Sequence, residues 1–178
     1  METYTIKDYD KLLGEDRWEL IKGVFHIFMS PAPQTYHQEI SLELSTELAL
    51  AYRKRKCKVY EAPFDVELAE NTIVQPDLCI ICDTDKITKK RCVGSPDFIA
   101  EIVSSSSFKR DTVDKLKLYE EYKIREYWLI LMEQQEVWVY TLENDKYSEK
   151  TVYDKHQKIR LFIDPTVEID FETVFNDN

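Results

Sequence analysis

The sequence has few glycines and prolines, no long apolar run and no excess of positive charge. It contains only 3 Gly and 6 Pro, which argues against fibrous and loop-rich architectures. Its 24 Lys and Arg against 34 Asp and Glu give a formal charge of −10, which excludes a basic protein that coats nucleic acid non-specifically. No run approaches the roughly 18 apolar residues of a membrane span, and no secretion signal opens the chain. We therefore expect a cytoplasmic protein without membrane association.

What is present is enough apolar material for one sizeable core. Hydrophobic residues make up 43% of the chain and aromatic residues 12%. A chain of this length buries roughly 70% of its extended surface on folding, and the charged residues are too well balanced by apolar ones for a disordered protein. The sequence shows no repeat, linker or low-complexity tract. We expect a single domain over residues 1–178.

Four cysteines, at positions 57, 79, 82 and 92, are expected to be reduced thiols. Cys79 and Cys82 form a C-x-x-C pair inside the apolar run DLCIIC. An offset of three on a strand points the two sulfurs to opposite faces, which is unsuitable for a shared metal ion. We interpret both as inert core thiols.

Hydrophobic spacing predicts alternating helices and strands, which indicates a mixed α/β fold. In the first part of the chain, the predicted elements are a helix over Tyr4–Leu13, hairpin strands over Trp18–Ile21 and Val24–Met29, and a long helix over Tyr36–Lys54. Further on, strands are predicted over Val59–Leu68, Asp77–Cys82, Asp97–Val103, Glu126–Met132 and Val137–Leu142, with a helix from Asp111 to Tyr122. The run YWLILM is apolar on both faces and is expected at the centre of a sheet. The tail is expected to supply an edge strand and a closing turn.

Two carboxylates lie in unusual places. Glu101 interrupts the strand-like run FIAEIV, and Asp77 opens the run LCII directly after Pro76. A buried carboxylate requires a cation, a metal ion or a strong donor as partner, because an unpaired buried charge costs several kcal/mol. If the two strands meet at one sheet end, the pair suits a hard divalent cation such as Mg²⁺. The alternative is a turn cap at Asp77 and a buried salt bridge at Glu101.

The predicted helix after Glu101 places Asp111, Lys115, Tyr119 and Tyr122 on one stripe. If this helix packs beside Glu101, the Lys115 ammonium can enter the same site, position a water molecule and stabilise charge that develops on a phosphate. An Asp111–Lys115 salt bridge on a solvated face explains the spacing equally well.

Glu19, on the first hairpin strand, and His37, at the start of the long helix, are weaker candidates for the site. Each is more often a surface or capping residue in such a position. His26 and His156 suggest no role, and we expect no zinc site. Three basic clusters, Arg53–Lys58, Lys89–Arg91 and Lys109–Arg110, are candidates for phosphate contacts, although the first also complements a helix dipole.

Taken together, these segments resemble the Uma2-like (DUF820) family of restriction-endonuclease-like proteins in the PD-(D/E)xK superfamily. The resemblance covers nearly the whole chain. It rests on RWELIKGVFHIFMSPAP, His37, Gln75-Pro76-Asp77, SPDFIAEIVSSSS, the D-x-x-x-K-x-x-x-Y set that begins at Asp111, and IREYWLI. Such an ordered series is far more specific than any one of its parts.

The resemblance implies an α/β restriction-endonuclease-like core, in which helices flank a central mixed sheet, and Mg²⁺- or Mn²⁺-dependent hydrolysis of DNA. By analogy, Asp77 and Glu101 would be metal ligands and Glu19 a further acidic residue of the site, and His37 is a further candidate catalytic residue. The superfamily lysine follows the second acid by two residues, where this chain has Val103. Uma2-like proteins look as though this lysine has moved from the strand to the next helix. The resemblance therefore implies that Lys115 takes its role.

Two other hypotheses remain open from the sequence. The first is a nuclease fold that no longer cuts and serves as an accessory that binds nucleic acid or a protein, which Val103 and the acidic charge favour. The second is a domain that acts through protein contacts alone, with Tyr119, Tyr122, Tyr127 and Trp138 as an exposed aromatic interface. A homodimer, or an unidentified protein partner, is compatible with all of these hypotheses.

Overall fold

The computed structural model describes residues 3–12, 18–27 and 34–175 of the chain. These residues form fourteen strands in three sheets, with short helices and one long one. The strands are β1 (Trp18–Ile21), β2 (Val24–Ile27), β3 (Lys58–Glu61), β4 (Val66–Ala69), β5 (Thr72–Val74), β6 (Leu78–Ile81), β7 (Cys92–Val93), β8 (Phe98–Val103), β9 (Glu126–Leu131), β10 (Glu136–Glu143), β11 (Lys146–Tyr147), β12 (Thr151–Asp154), β13 (Lys158–Arg160) and β14 (Glu168–Asp170).

The helical segments are fewer and mostly short. They are α1 (Ile6–Tyr9), α2 (Thr35–Tyr52), a 3₁₀ turn (Thr84–Lys86), a π-helix (Arg110–Lys115) that runs directly into α3 (Leu116–Glu121), and α4 (Phe171–Val174). None of the helices in the described ranges combines the length and the apolarity that a bilayer crossing requires.

The central sheet is mixed and has the order β11-β10-β9-β8-β6-β3, with β12 paired to β10. Strands β8 and β9 pair in parallel and are buried along their whole length, as the apolar runs FIAEIV and EYWLIL require. The other pairs in this sheet are antiparallel. The predicted mixed α/β fold with a central mixed sheet is confirmed, and so is the central position of the YWLILM strand.

Helix α2 covers one face of this sheet. Its residues Ile40, Leu44 and Leu48 recur at a spacing of four, are fully buried, and pack into one core with Leu78, Trp128 and the C-terminal segment. The opposite face of the sheet packs against α3 and the second sheet, which has the order β2-β1-β5-β4-β7. Glu101 faces this second layer, since its neighbours Ile99 and Val103 on alternate positions of β8 belong to the second core.

The hairpin of β1 and β2 forms where the sequence predicts it. Lys22 and Gly23 both have positive φ, of 49° and 79°, which is the conformation that a two-residue hairpin turn requires. A Cβ on Gly23 would also collide with the Thr3 side chain, which would have to move, and would lie 3.2 Å from the Tyr4 carbonyl oxygen. The last two residues of the predicted strand Val24–Met29 lie outside the described residues, as does Leu13 at the end of the first predicted helix.

Three expectations about the elements need correction. The predicted strand Val59–Leu68 is two strands in different sheets, because Pro63 lacks the N–H that a continuous ladder needs. The tail forms a separate two-stranded sheet of β13 and β14, followed by α4, instead of an edge strand of the main sheet. The expectation of four reduced thiols is wrong for Cys57 and Cys82, which form a disulfide across the β3–β6 pair.

The C-x-x-C interpretation otherwise holds. Cys79 is a buried free thiol in the second core, whereas Cys82 packs against the first core on the other side of the sheet. The two sulfurs therefore point to opposite faces, as the offset of three predicts.

Candidate active site

The antiparallel register of β6 and β8 brings the two predicted carboxylates together. Leu78 pairs with Ala100, so Asp77, one residue before β6, lies opposite Glu101. The backbone N–H of Asp77 donates to Glu101 Oε2 at 3.4 Å, and the N–H of Ile102 donates to Asp77 Oδ2 at 2.8 Å. The two acids therefore share one end of the central sheet, although they lie far apart in the sequence.

Lys115 enters this site from the π-helix. Its side chain is only 2% exposed, and its Nζ lies 2.8 Å from Glu101 Oε1 and 3.0 Å from Glu19 Oε1. Burial opposes the charge on Lys115, but the carboxylates of Glu101, Glu19 and Asp111 outweigh it and raise the pKa of the ammonium above its usual value. The lysine is therefore held as a cation between two acids.

Glu19 is fully buried, contrary to the usual exposure of a glutamate on a hairpin. The backbone N–H of Gln75 donates to its Oε1 at 2.9 Å, whereas its Oε2 is buried without a hydrogen-bond partner. A buried carboxylate oxygen without a donor is costly in a folded protein and indicates a site for an additional cation or donor.

Glu101 is 3% exposed. Its Oε1 accepts from both Lys115 and the Tyr119 hydroxyl, the latter at 2.7 Å. Burial raises the pKa of Glu101 to about 8; Lys115 opposes this rise, while Asp77 and other nearby acids add to it. Such a carboxyl exchanges its proton readily for a cation near neutral pH.

His37 lies on the first turn of α2 and contacts the other side of Asp77. Its Nε2 is 3.5 Å from Asp77 Oδ2, and both side chains are partly exposed, at 16% and 20%. Burial raises the pKa of Asp77, but the hydrogen bond and charge of His37, with the Ile102 N–H and Lys115, lower it overall. Asp77 and His37 therefore form the open side of a cluster whose other members are buried.

All five sequence-predicted site residues thus lie in one cluster: Glu19, His37, Asp77, Glu101 and Lys115. The alternative interpretation, an Asp111–Lys115 salt bridge on a solvated face, is wrong, because both side chains are buried. Asp111 instead pairs with Arg110 through an Nε–Oδ1 distance of 3.1 Å.

No group of three or more His, Cys, Asp or Glu side chains within the described ranges is arranged to hold a metal ion. Asp77 and Glu101 nevertheless supply the hard oxygen donors that Mg²⁺ prefers, and this ion usually completes its coordination with water and substrate. Glu19 lies on the other side of Lys115, where its Oε2 is a further buried acceptor. The donor set therefore fits a divalent ion held by two carboxylates.

A comparison with protein families now identifies the chain. The model of Uma2, whose description is "Putative restriction endonuclease", matches residues 6–172. The chain belongs to the Uma2 family. All five residues of the cluster lie within the matched range.

The fold of this Uma2 protein also has a solved counterpart. It is similar to a crystal structure from Anabaena variabilis described as "a putative nuclease belonging to DUF820", with a TM-score of 0.78 and 18% sequence identity. The similarity covers 96% of this chain and 97% of the other. At this identity, the likeness concerns the fold. A search of curated proteins finds no match.

Sequence reasoning missed several contacts of the cluster. The sequence places Tyr119 on the stripe of Asp111 and Lys115 but gives it no role in the site, whereas in the structure its hydroxyl donates to Glu101. Gln75 positions Glu19 through its backbone and donates from Nε2 to Asp65 at 2.8 Å. A tyrosine one turn after a buried lysine is a usable signal, whereas the Gln75 contact depends on two sheets meeting and has no local signature.

The exposed aromatic interface is wrong in part, because Tyr119 and Tyr127 are fully buried. The basic clusters are also less available than their sequence indicates. Arg91 is buried and pairs with Asp10 and Glu67, and Arg55 binds Asp164 at 2.6 Å.

Proposed function

We propose that this Uma2 protein is a divalent-metal-dependent endonuclease that hydrolyses phosphodiester bonds of DNA. One observation carries the proposal: a buried lysine, Lys115, lies between Glu101 and Glu19, with Asp77 at the adjacent strand end. Two acids at a sheet end can hold the ion of metal-assisted phosphodiester hydrolysis, and a lysine beside them can stabilise the charge that develops on the phosphate. The family description, a restriction endonuclease, points to the same reaction.

The position of Lys115 supports its assignment in place of the absent lysine at Val103. Residues 101 and 103 point to the same face of β8, so a lysine at 103 would approach Glu101 from the second core. The π-helix and α3 pack on this same face, since Leu118 and Tyr119 share that core with Val103. Lys115 therefore delivers its ammonium to the same region from the helix instead of the strand.

Asp77 and Glu101 would hold the ion, which when bound would neutralise a phosphate oxygen and lower the pKa of a water molecule. Lys115 stays protonated, so it acts as a donor that orients water and stabilises negative charge, and not as the base. Tyr119 fixes Glu101 Oε1, which leaves Oε2 on the side of Asp77. His37 holds Asp77 Oδ2 at the open side of the cluster.

DNA positioning would depend on the basic side chains that remain exposed. Lys89, Lys90 and Lys109 are exposed, whereas the neighbouring Arg91 and Arg110 are committed to ion pairs. Lysines that contact phosphates position a substrate without reading its sequence. The net charge of −10 makes these contacts and the bound ion necessary for anion binding.

A nuclease fold that binds nucleic acid or a protein without cutting is the second candidate. It is favoured by the lack of a three-ligand metal group in the described part of the chain, and by Val103. In that case Lys115 would serve only to neutralise Glu19 and Glu101. Metal binding and turnover separate the two functions.

The test is cleavage of supercoiled, linear, branched and single-stranded DNA, and of RNA, in Mg²⁺ or Mn²⁺. Glu101→Gln is the inactive variant, and Glu126→Gln is its control, because Glu126 is an equally buried carboxylate of the central sheet that binds Trp128 and Ile163. The proposal is supported if the wild type and Glu126→Gln cut and Glu101→Gln does not. Metal binding without cutting would favour a missing partner, and the lack of both would favour the accessory function.

A further inference from the structure

One face of α2 is exposed although it carries large apolar side chains. Leu42 is 62% exposed and Leu50 is 50% exposed, while Glu43, Thr46 and Ala49 between them are also exposed. The buried face of the helix, with Ile40, Leu44 and Leu48, is a separate stripe. The exposed apolar face is therefore not needed for the contact of α2 with the sheet.

The exposed residues are arranged symmetrically along the helix. Leu42 and Leu50 are equidistant from Thr46, and so are Glu39 and Arg53, which are exposed as well. At 3.6 residues per turn, all five positions lie within an arc of about 80° around the direction of Thr46. The face, which we call the α2 stripe, thus reads acid, leucine, threonine, leucine, base.

We propose that the α2 stripe is the interface of a homodimer, in which α2 pairs antiparallel with α2 of a second copy around Thr46. In such a pair, Leu42 of each copy meets Leu50 of the other, and Glu39 meets Arg53. The contact is isologous, because each surface is complementary to itself after a two-fold rotation. Thr46 at the axis is small, and Ala49 of each copy leaves room for Glu43 of the other.

Charge complementarity identifies a second copy as the occupant. None of the ion pairs within the described ranges contains Glu39 or Arg53, and both side chains are exposed, so both charges are available to a partner. A parallel pair would instead place acid against acid and base against base, which is unfavourable. An antiparallel partner must present the same groups in the reverse order, and a second copy of this chain does so. This inference does not depend on nuclease activity.

The first test is the molar mass of the wild type by analytical ultracentrifugation, at protein concentrations up to about 100 µM. This range also detects weak dimers, with dissociation constants of about 10 µM or more. We expect a dimer. Leu42→Glu should be monomeric over this range, whereas Val152→Glu should remain dimeric. Val152 is a matched control, because it is 45% exposed on β12, away from the stripe.

Charge exchange tests the orientation. Arg53→Glu and Glu39→Arg should each weaken the dimer about tenfold, since each variant creates two like-charge contacts across the two-fold axis. The double variant Glu39→Arg/Arg53→Glu should recover the wild-type affinity. A surface that is merely apolar would not show this recovery.

A cysteine at the axis gives a second measurement. Thr46→Cys should form an intermolecular disulfide under mild oxidation, while Glu149→Cys, at an exposed position elsewhere, should not. The native cysteines do not interfere, because two are joined to each other and two are buried. A monomeric wild type, a dimer that survives Leu42→Glu, or a double charge variant that stays weak would overturn the proposal.

Discussion

Lys115 Nζ donates to Glu101 Oε1 at 2.8 Å, and this bond joins a strand of the central sheet to the π-helix that follows it. The lysine also lies 3.0 Å from Glu19, which belongs to the second sheet. A single side chain therefore connects three parts of the fold at one point. Since all three groups are buried, a change to any of them alters both charge balance and packing.

Glu101→Gln should abolish Mn²⁺ binding and leave the fold intact. The amide has the size of the carboxyl but lacks the charge that a hard cation needs. Calorimetric titration of metal-free protein measures the loss, and circular dichroism checks the fold. Glu126→Gln, which removes a buried carboxylate elsewhere in the sheet, should bind Mn²⁺ like the wild type. Undiminished binding to Glu101→Gln would remove Glu101 from the metal site.

Lys115→Met should bind metal but lose cleavage, and without metal it should be less stable by about 3–5 kcal/mol. The methionine fills the space of the lysine stem but leaves the acids around it without their cation. Mn²⁺ should then stabilise this variant more than it stabilises the wild type, because the ion restores the missing positive charge. Urea unfolding with and without Mn²⁺ measures both effects.

The matched control for that variant is Lys117→Met, since Lys117 is exposed two residues further on. It should change neither stability nor cleavage measurably. Cleavage at the wild-type rate by Lys115→Met would show that another group orients the water.

The raised pKa of Glu101 gives stability an unusual pH dependence. The folded-state pKa of about 8 exceeds the ordinary value of 4.5, so folding favours the protonated form. The resulting stabilisation is fully present below about pH 4.5 and is lost as the pH rises to about 8. The free energy of unfolding of the metal-free wild type, measured relative to Glu101→Gln, should therefore fall across this window.

Mn²⁺ affinity should change in the opposite direction over the same window. The ion displaces the proton of Glu101, so binding should strengthen toward pH 8 and release protons. Titration in buffers of different ionisation enthalpy measures that release. A pH-independent affinity, or a constant stability difference between the two proteins, would contradict the assigned pKa.

The Cys57–Cys82 disulfide should be measurable by counting thiols. Denatured protein that has not been reduced should show two reactive thiols, and reduced protein should show four. Because the bond closes a loop with a sequence separation of 25, reduction should lower the free energy of unfolding by about 3 kcal/mol. Cys57→Ser/Cys82→Ser should not respond to reductant. Four thiols before reduction would show that the bond is absent.

The features that the sequence predicts well have a local signature. The strands β8 and β9 are continuous apolar runs, and α2 shows a clear spacing of four, so each element is determined by its own residues. The sequence also indicates Asp77 and Glu101 as a candidate pair, because Glu101 interrupts an apolar run and Asp77 opens one. Their common position still required the register of β6 on β8.

What could not be predicted depends on contacts between distant segments. The burial of Glu19 requires β1 to pair with β5, a strand of three residues with no clear pattern. The disulfide requires the register that places Cys57 opposite Cys82. The availability of each basic residue depended on which acids the fold brought near it. The sequence therefore predicts which residues form the site better than it predicts the contacts around them.

A π-helix hydrogen-bonds each residue to one five positions away, so Arg110–Lys115 holds more residues per turn than the α-helix that continues from it. Deleting one residue between Asp111 and Lys115 would relax this segment to the commoner geometry, in which residues three or four positions apart still share a face. Both side chains would then stay on the buried side, but the angle between them would change. The wide turn of Arg110–Lys115 therefore sets the direction from which Lys115 approaches Glu101, and a deletion here should alter that approach without exposing the lysine.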